Sequence, residues 1–547
     1  MTPVRLLFLP LTAGLLLAAA SPAGAALVGP GTTSGARVQS RLADHHRVTL
    51  PDAVTAAASR AGDGGRWLFL AGGDRGRLAT LARRHGGRFD ATIGMLSVPT
   101  REARAVASRL GDRMHSAGPD LIGRRLSSLD SPGGIVSPWS RDAAATPSLS
   151  PAPGALAPIG IVDDPVDKTV AELTNAEVIN GVNPVDPHGT MVASVAAAPY
   201  DGTGVVGVAP GAKVFSWGSN LSCGDVSTGI IQVVRRGARV VNVSLGFDEM
   251  CGPLETAVQY AYAHGATVVS ASGNDADHGN PLSFPASYEH VITAAAVTSA
   301  YTVASFSNYD DYVDVAAPGV GIPVDNPLRF DTKDGVADGL SKADGTSFAS
   351  PYVAGGISWI LGARPELDAS QVAAVLRAST RDLEQPGWDP YTGYGLLQVS
   401  AAMAAPAPPK DFGEPNDSPT YVRPVGKGTF GKPAIWSGGG KVTIQATGDS
   451  ADDDIDAYRV RVPPRARLKV QLMPSSGSAD LFAFDQSVKS FLRATPIDAS
   501  TRSGSRTDTI WVRNTGRTGR FAFIVVNTTG ADDTRGLSEY RLSVRRD

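Results

Sequence analysis

Short apolar runs alternate with amphipathic stretches through the middle of the chain. The strand-like runs are residues 159–162, 214–217, 240–244 and 267–271. The helix-like stretches, with apolar positions three and four residues apart, are residues 226–236, 254–264 and 370–378. Because these strand-like runs are apolar on both sides, they are typical of parallel strands covered by helices. The pattern predicts a doubly wound, mainly parallel α/β sheet, with its reactive residues at the carboxyl ends of the strands.

Different patterns flank this α/β domain, which we place at residues 158–403. Upstream, residues 66–122 follow the order β-α-β-β-α-β, which predicts a small α+β unit of the ferredoxin-like type. Residues 127–157 are rich in Ser, Pro, Ala and Gly and are predicted to be a linker or an extended N-terminus of the domain. After a Pro/Ala linker at 404–410, residues 411–547 show short alternating strands with Gly, Asn and Asp turns, which predicts an antiparallel β-sandwich.

The first 25 residues have the layout of a secretory signal peptide. Arg5 precedes an apolar run at 6–20, and small residues lead to Ala25, after which we expect cleavage. The alternative is a membrane anchor, for which the run is short. No later segment is apolar enough to cross a bilayer, and the net charge of −3 gives no electrostatic case for binding nucleic acid or an anionic membrane. We therefore expect a secreted, extracellular protein.

Polar residues that could carry chemistry stand where elements end. Asp163 ends a strand-like run, His188 opens a helical stretch, and Asn274 follows a buried strand. Ser347 lies where a loop becomes a helix, in the positive field of the helix start. Pro351 is predicted to fall within the first turn of that helix, where the absence of its N–H costs little.

The order Asp, His, Asn, Ser, each at the end of an element, resembles the subtilisin-like serine peptidases over roughly residues 157–402. The resemblance rests on the motifs Gly345-Thr346-Ser347-Phe348-Ala349-Ser350-Pro351, His188-Gly189-Thr190, Ser272-Gly273-Asn274 and Phe284-Pro285-Ala286. It implies that Ser347 attacks the scissile carbonyl, that His188 takes the serine proton and that Asp163 orients His188. Asn274 would donate a hydrogen bond to the oxyanion. The implied function is a serine endopeptidase acting on proteins or peptides.

The resemblance also implies a surface that binds the substrate backbone. Its residues would be an exposed strand at Ser244, Leu245 and Gly246, and the walls of the primary specificity pocket at Ala271, Ser272 and Gly273. An extended peptide added to such a strand is bound mainly through main-chain hydrogen bonds, which do not distinguish side chains. Broad specificity is therefore expected.

The flanking units resemble further parts of secreted peptidases. Residues 26–126, with a folded part at about 66–122, resemble the propeptide that precedes subtilisin-like domains and acts as folding assistant and temporary inhibitor. The Glu-Pro-Asn-Asp opening at 414–417 resembles the pre-peptidase C-terminal domain. We expect a zymogen whose processing site lies between Arg124 and Pro153.

One departure from the family pattern bears on the site. Asp163 is followed by Asp164 and Pro165, where the family usually has Ser or Thr and then Gly. Two adjacent carboxylates leave the residue that orients His188 ambiguous. Because successive strand side chains point to opposite faces, only one can reach His188, and Asp163 follows the strand end in register. The alternative to an active enzyme is a catalytically weak or inactive subtilisin-like scaffold used for binding.

Cysteine usage and metal chemistry add little more. Cys223 and Cys251 are the two cysteines of the chain, and an isolated pair in an exported protein favours a disulfide. Two buried thiols remain the alternative. No cofactor is expected. Calcium is compatible with the resemblance, but the acidic runs match no metal-loop spacing, so we assign no metal ligands. We expect a monomer.

Overall fold

The computed structural model describes residues 65–125, 138–146 and 156–547, apart from short internal gaps. The gaps are residues 175, 202–203, 333–335, 418, 423–431, 450–453, 489–490, 492–493, 503, 505 and 531–536. The predicted signal peptide and the chain from it to residue 64 lie outside the described residues, as does Leu126, where the predicted prosegment ends.

The N-terminal unit is a four-stranded antiparallel sheet with helices packed on one face. Its elements are β1 (Arg66–Ala71), α1 (Arg75–Arg84), β2 (Arg88–Asp90), β3 (Met95–Pro99), α2 (Ala103–Leu110) and β4 (Met114–Pro119). The strands lie in the order β2-β3-β1-β4. Asp74 caps α1 by accepting a hydrogen bond from Arg77 N at 2.8 Å. Alternate residues of β1, such as Trp67 and Phe69, pack under the two helices.

The central domain is built on a parallel sheet of seven strands. Before it, β5 (Arg124–Arg125) ends the N-terminal unit and α3 (Pro138–Ala143) lies in the predicted linker. The elements of the domain up to residue 271 are β6 (Ile159–Asp163), β7 (Glu177–Val178), α4 (His188–Ala197), β8 (Val214–Gly218), α5 (Cys223–Arg236), β9 (Val240–Val243), β10 (Leu245–Gly246), α6 (Gly252–Ala263) and β11 (Thr267–Ala271). There follow β12 (Val291–Val297), β13 (Val315–Pro318), β14 (Ile322–Asp325), β15 (Leu340–Ala343), α7 (Thr346–Ala363), α8 (Ala369–Arg377) and α9 (Val399–Ala404). The sheet order β13-β12-β11-β9-β6-β8-β7 confirms the predicted doubly wound fold.

Helices cover both faces of this sheet, which explains why its strands are apolar throughout. Val192 of α4 and Phe348 of α7 belong to the core on one face. Ile230 of α5 and Leu254 of α6 belong to the core on the other. The helices α5 and α6 begin two or three residues before the sequence prediction, and at α5 the Ser222 side chain caps the extra turn by accepting from the N–H of the third helical residue.

The C-terminal unit is an antiparallel β-sandwich, as predicted. Its elements are α10 (Pro419–Val422), β16 (Val442–Asp449), β17 (Ile455–Val462), β18 (Ala466–Pro474), β19 (Ser478–Asp485), β20 (Asp498–Ser500), β21 (Asp508–Asn514), β22 (Arg520–Gly530) and β23 (Leu537–Arg546). The two sheets have the orders β16-β23-β18-β21 and β17-β22-β19-β20. Residues such as Val470 and Ile524, one from each sheet, share a buried core. In the part of the chain that the structure describes, no helix is both long and apolar enough to cross a membrane.

Candidate active site

An aspartate and a histidine meet at the carboxyl edge of the parallel sheet. Asp163 is the last residue of β6 and His188 the first of α4, and His188 Nδ1 lies 2.7 Å from Asp163 Oδ1. Burial disfavours the charged imidazolium, but the Asp163 carboxylate outweighs it, so the pKa of His188 is raised above its ordinary value. A Cβ on Gly189 would lie 1.9 Å from Asp164 O, which explains why α4 can approach β6 only with glycine there.

Ser347 lies beside this pair at the start of α7. The loop turns into the helix at Gly345, whose φ of 146° is one that residues with a side chain rarely adopt. The ring of Phe348, the residue after Ser347, lies 6.0 Å from the ring of His188. Ser347 Oγ donates to Ser244 O at 2.9 Å, and His188 Nε2 has no hydrogen-bond partner among the described residues. To reach His188, the hydroxyl therefore has to turn away from Ser244 O.

Pro351 lies inside α7 rather than in its first turn, and this corrects the sequence prediction. A residue at that position would normally donate its N–H to Ser347 O, four residues back. Proline has no N–H, and Ser244 Oγ donates to Ser347 O in its place, at 2.8 Å. Ser244 Oγ accepts in turn from Asn242 Nδ2 at 2.9 Å, and Ser350 Oγ donates to Asn242 Oδ1 at 2.6 Å. These buried hydrogen bonds fix the start of α7 against the end of β9.

Asn274 faces the same helix start from the end of β11. Its Oδ1 accepts from Thr346 N at 3.0 Å and from Thr346 Oγ1 at 2.8 Å. Because these bonds engage the oxygen, they fix which end of the amide carries the donor, and Nδ2 remains for another acceptor. The amide is thus oriented by the residue that directly precedes Ser347.

The predicted pocket walls lie between β11 and α7. Ala271 and Ser272 are buried. Gly273 N donates to Thr346 Oγ1 at 3.3 Å, and with a φ of 120° this glycine leaves no room for a Cβ, which would lie 2.4 Å from Asn308 Nδ2. The three residues therefore border the helix start that carries Ser347.

The strand that the sequence predicted to be exposed is covered by the end of the N-terminal unit. Leu245 and Gly246 form β10, which pairs antiparallel with β5. The other edge of the incoming segment is also held, since Gly123 N donates to Leu221 O at 2.6 Å. All of Ser244, Leu245 and Gly246 are buried in this arrangement. The segment thus lies in a cleft between β10 and Leu221. The sequence indicated an inhibitory unit but gave no signal for which of its residues enter this cleft.

Of the two adjacent carboxylates, Asp163 contacts His188 and Asp164 contacts Arg125. Arg125 Nε donates to Asp164 Oδ2 at 2.5 Å and Arg125 Nη2 to Asp164 Oδ1 at 2.8 Å. Burial raises the pKa of Asp164, although Arg125 opposes this shift. Sequence reasoning noticed Asp164 only as a source of ambiguity, because nothing in the pattern places a residue of the N-terminal unit beside it.

The two cysteines form a disulfide between the starts of two helices. Cys223 is the first residue of α5 and Cys251, 28 residues later, directly precedes α6. Both are buried. The bond joins the starts of two neighbouring helices, and neither thiol is free for chemistry.

Two described clusters outside the cleft could hold a cation. They are His290 with Glu414 and Asp417, and Asp411 with Glu414 and Asp456. They lie where the central domain meets the β-sandwich, and the second consists of carboxylates alone, the ligand type that calcium prefers. Burial raises the pKa of Glu414 and of Asp456 well above their ordinary values. The residues come from distant parts of the chain, so no loop spacing in the sequence reveals them.

Comparison with known proteins places the central domain in a family. A family model described as the subtilase family matches residues 157–395. Subtilisin DY of Bacillus licheniformis is 36% identical over 266 residues, which are 46% of this chain and 91% of that protein. A probable subtilase-type serine protease of Deinococcus radiodurans and fervidolysin of Fervidobacterium pennivorans are each 33% identical, over 41% and 51% of this chain. The chain spans only 33% and 44% of the length of these two relatives.

A solved structure supports the fold independently. The crystal structure of fervidolysin matches with a TM-score of 0.55 and 20% identity, over 82% of this chain and 84% of that one. Sheet order and side-chain arrangement together define an α/β class in which Asp, His and Ser stand at the carboxyl edge of a parallel sheet. Within that class, the chain belongs to the subtilase family.

Proposed function

We propose that the protein is a serine endopeptidase that uses Asp163, His188 and Ser347. The observation that carries this proposal is the 2.7 Å contact between His188 Nδ1 and Asp163 Oδ1, on the sheet edge that also presents Ser347. Ser347 Oγ attacks the scissile carbonyl carbon while His188 Nε2 takes its proton, and His188 then gives that proton to the leaving amine. Asp163 keeps the imidazole in the tautomer whose Nε2 can accept.

The tetrahedral oxyanion needs donors placed in advance, and Asn274 supplies one. Thr346 engages the amide oxygen, which leaves Asn274 Nδ2 to donate to the oxyanion. The backbone N–H of Ser347, at the positive end of α7, is the second donor. The substrate backbone lies along β10. The side chain of the residue that precedes the scissile bond enters the pocket bordered by Ala271, Ser272 and Gly273.

The same proposal includes synthesis as an exported zymogen. Residues 1–25 direct export, residues 26–126 form the inhibitory prosegment, and residues 411–547 form an accessory domain. Support for inhibition comes from β5, which occupies the strand edge that a substrate would need. The chain is cut shortly after Arg125, within the interval 124–153 predicted from the sequence. Activation then follows when the prosegment leaves.

The first test compares residues 26–547 with their Ser347→Ala variant. The parent protein is expected to lose its prosegment with time and to react with a fluorophosphonate at Ser347, because both events need the same nucleophile. The variant is expected to keep its full mass and to remain unlabelled. Intact mass spectrometry and peptide mapping of the label provide the two measurements.

Ser400→Ala, which changes an exposed serine of α9, is the matched control and should behave like the parent. If the parent is folded but stays intact and unlabelled, the proposal fails, and the protein is a subtilisin-like scaffold that binds without cleaving.

A further inference from the structure

The end of the prosegment lies in the cleft as a peptide substrate would. Residues 124–125 pair with β10 along one edge. Along the opposite edge, Gly123 N donates to Leu221 O at 2.6 Å and Cys223 N donates to Leu121 O at 2.7 Å. The segment is therefore hydrogen-bonded through its main chain along both edges, and main-chain hydrogen bonds are what bind an extended peptide added to a strand. The side chains of this segment therefore indicate which substrate side chains the neighbouring surface can bind.

Arg125, which lies opposite Leu245, enters a site built for a cation. Its guanidinium makes two hydrogen bonds to the two oxygens of Asp164, at 2.5 and 2.8 Å, in the forked geometry that suits arginine and a carboxylate. Arg125 Nε also lies 3.5 Å from Asp186 Oδ1. The Asp164 side chain is only 2% exposed, whereas that of Arg125 is 34% exposed. Asp164 directly follows β6 of the central domain and so belongs to the cleft wall, whereas Arg125 belongs to the segment that is proposed to leave.

Arg124, one position earlier, contacts carboxylates that are more exposed than Asp164. It forms an ion pair with Asp275, and its Nε donates to Asp248 Oδ1 at 3.2 Å. The side chains of Asp275 and Asp248 are 22% and 66% exposed, against 2% for Asp164, so solvent screens the contacts of Arg124 more than that of Arg125. The selective position is therefore the one that Arg125 occupies.

We propose that Asp164, supported by Asp186, forms a subsite that selects arginine, and more weakly lysine, at the substrate position opposite Leu245. The inference rests on the proposed function and makes it more specific, because it replaces the broad specificity expected from main-chain binding. The prosegment itself carries the preferred residue, so the contact that holds the zymogen closed is the contact that later recognises substrates.

A neutral side chain in this subsite is rejected for a physical reason. It would cover Asp164 without supplying a positive charge, and a buried carboxylate left without a cationic partner is strongly unfavourable. Lysine restores the positive charge but binds the carboxylate through a single ammonium group, whereas the arginine guanidinium donates to both carboxylate oxygens. The expected order of preference is arginine, then lysine, then glutamine.

The test uses internally quenched peptides that copy residues 119–130, with Arg, Lys, Gln or Glu at the position of Arg125. The processed full chain is expected to cleave the Arg peptide at least about thirtyfold faster than the Gln peptide in kcat/KM, as for truncation of one partner of a buried ion pair. In Asp164→Asn the Arg/Gln ratio should fall to within about threefold of one. Mass spectrometry of the products identifies the bond that is cut.

Asp248→Asn, which removes an exposed acid that contacts the neighbouring Arg124 rather than Arg125 in the described part of the chain, is the matched control and should retain the preference. Fluorophosphonate titration of Ser347 counts folded active sites in each variant, so a misfolded variant is recognised before ratios are compared. Equal cleavage of the Arg and Gln peptides by the parent, or an unchanged ratio in Asp164→Asn, overturns this proposal and leaves the endopeptidase intact. Absence of both labelling and cleavage in the parent overturns the endopeptidase proposal and this one with it.

Discussion

Two consecutive aspartates, Asp163 at the end of β6 and Asp164 directly after it, have different partners. Asp163 contacts His188, and Asp164 contacts Arg125. A ligand atom of each of Asp163, Asp164 and His188 lies within 4.8 Å of the other two, so the proposed catalytic base has two carboxylates beside it, of which Asp163 makes the hydrogen bond. Both carboxylates also raise the pKa of His188, whereas Arg125 lowers it. The proposed departure of the prosegment would therefore remove the one cation that opposes the two carboxylates in setting the pKa of His188 among the causes given above.

The first residue-scale prediction concerns the pH dependence of activity. In the proposed mechanism neutral His188 accepts the serine proton, so activity is expected above the pKa of His188 and is expected to be lost as the pH falls through it. The Asp163 carboxylate raises that pKa against the effect of burial. In Asp163→Asn the acidic limb of kcat/KM is expected to move to lower pH, and kcat to fall about 10⁴-fold. A pH profile of the processed enzyme measures both.

Asp248→Asn, an exposed carboxylate outside the pair, should leave the acidic limb where it is. A limb that stays in place in Asp163→Asn would mean that another group sets it.

At this scale the sequence was informative where a motif has a fixed local geometry. The strand end at Asp163 and the helix starts at His188 and Ser347 all follow from apolar periodicity. The position of Pro351 inside α7 could not be predicted in this way, because the hydroxyl that donates to Ser347 O comes from Ser244, 103 residues away. The partner of Asp164 was hidden for the same reason, since no local pattern encodes a contact between separate units.

At the scale of elements, the starts of α5 and α6 make contacts beyond those that pack the two helices on the sheet. The Cys223–Cys251 bond joins these starts, and Cys223 N also donates to the incoming segment at Leu121 O. Alternating strands and helices predicted these elements well, because each buries a continuous apolar side. The sheet order, which brings the two helix starts together, comes from strand pairing that periodicity does not specify.

Removing the disulfide is expected to lower the free energy of unfolding by about 3–4 kcal/mol, the chain-entropy value for a closed loop of this length. The change is Cys223→Ser together with Cys251→Ser, whose separation is 28 residues. Urea unfolding in the Ser347→Ala background avoids self-cleavage during the measurement.

A reducing agent should destabilise the protein with intact cysteines by a similar amount and leave the double serine variant unaffected. If unfolding of the double variant coincides with that of its parent, the bond contributes nothing to stability.

At the scale of the whole molecule, the sheet of the N-terminal unit is packed on both of its faces. Trp67 and Phe69 on one face form the unit's own core with its helices. Leu68 and Leu70 on the other face join the core of the central domain beside α5 and α6. Asp120 anchors this contact, because its Oδ1 accepts from Gly224 N at 2.8 Å in the first turn of α5.

Asp120→Ala is therefore expected to weaken inhibition by the cleaved prosegment by roughly 5–30-fold, the range for losing a carboxylate at a helix start. Recovery of peptidase activity after processing measures the effect. Asp74→Ala is the comparison, since it removes a helix cap on the unit's far side. If both variants release the prosegment equally fast, reduced stability of the unit explains the result, and Asp120 has no special role at the contact.

A cleft that hydrogen-bonds the incoming chain along both edges selects for an extended main chain before it selects among side chains. A segment already paired in a hairpin or coiled in a helix has no free main-chain groups to offer at 121–123 and 124–125 simultaneously. Only a stretch of about five residues that is free to extend can enter. Compact folded proteins would therefore be spared, and frayed ends, mobile loops and unfolded chains would be cut first.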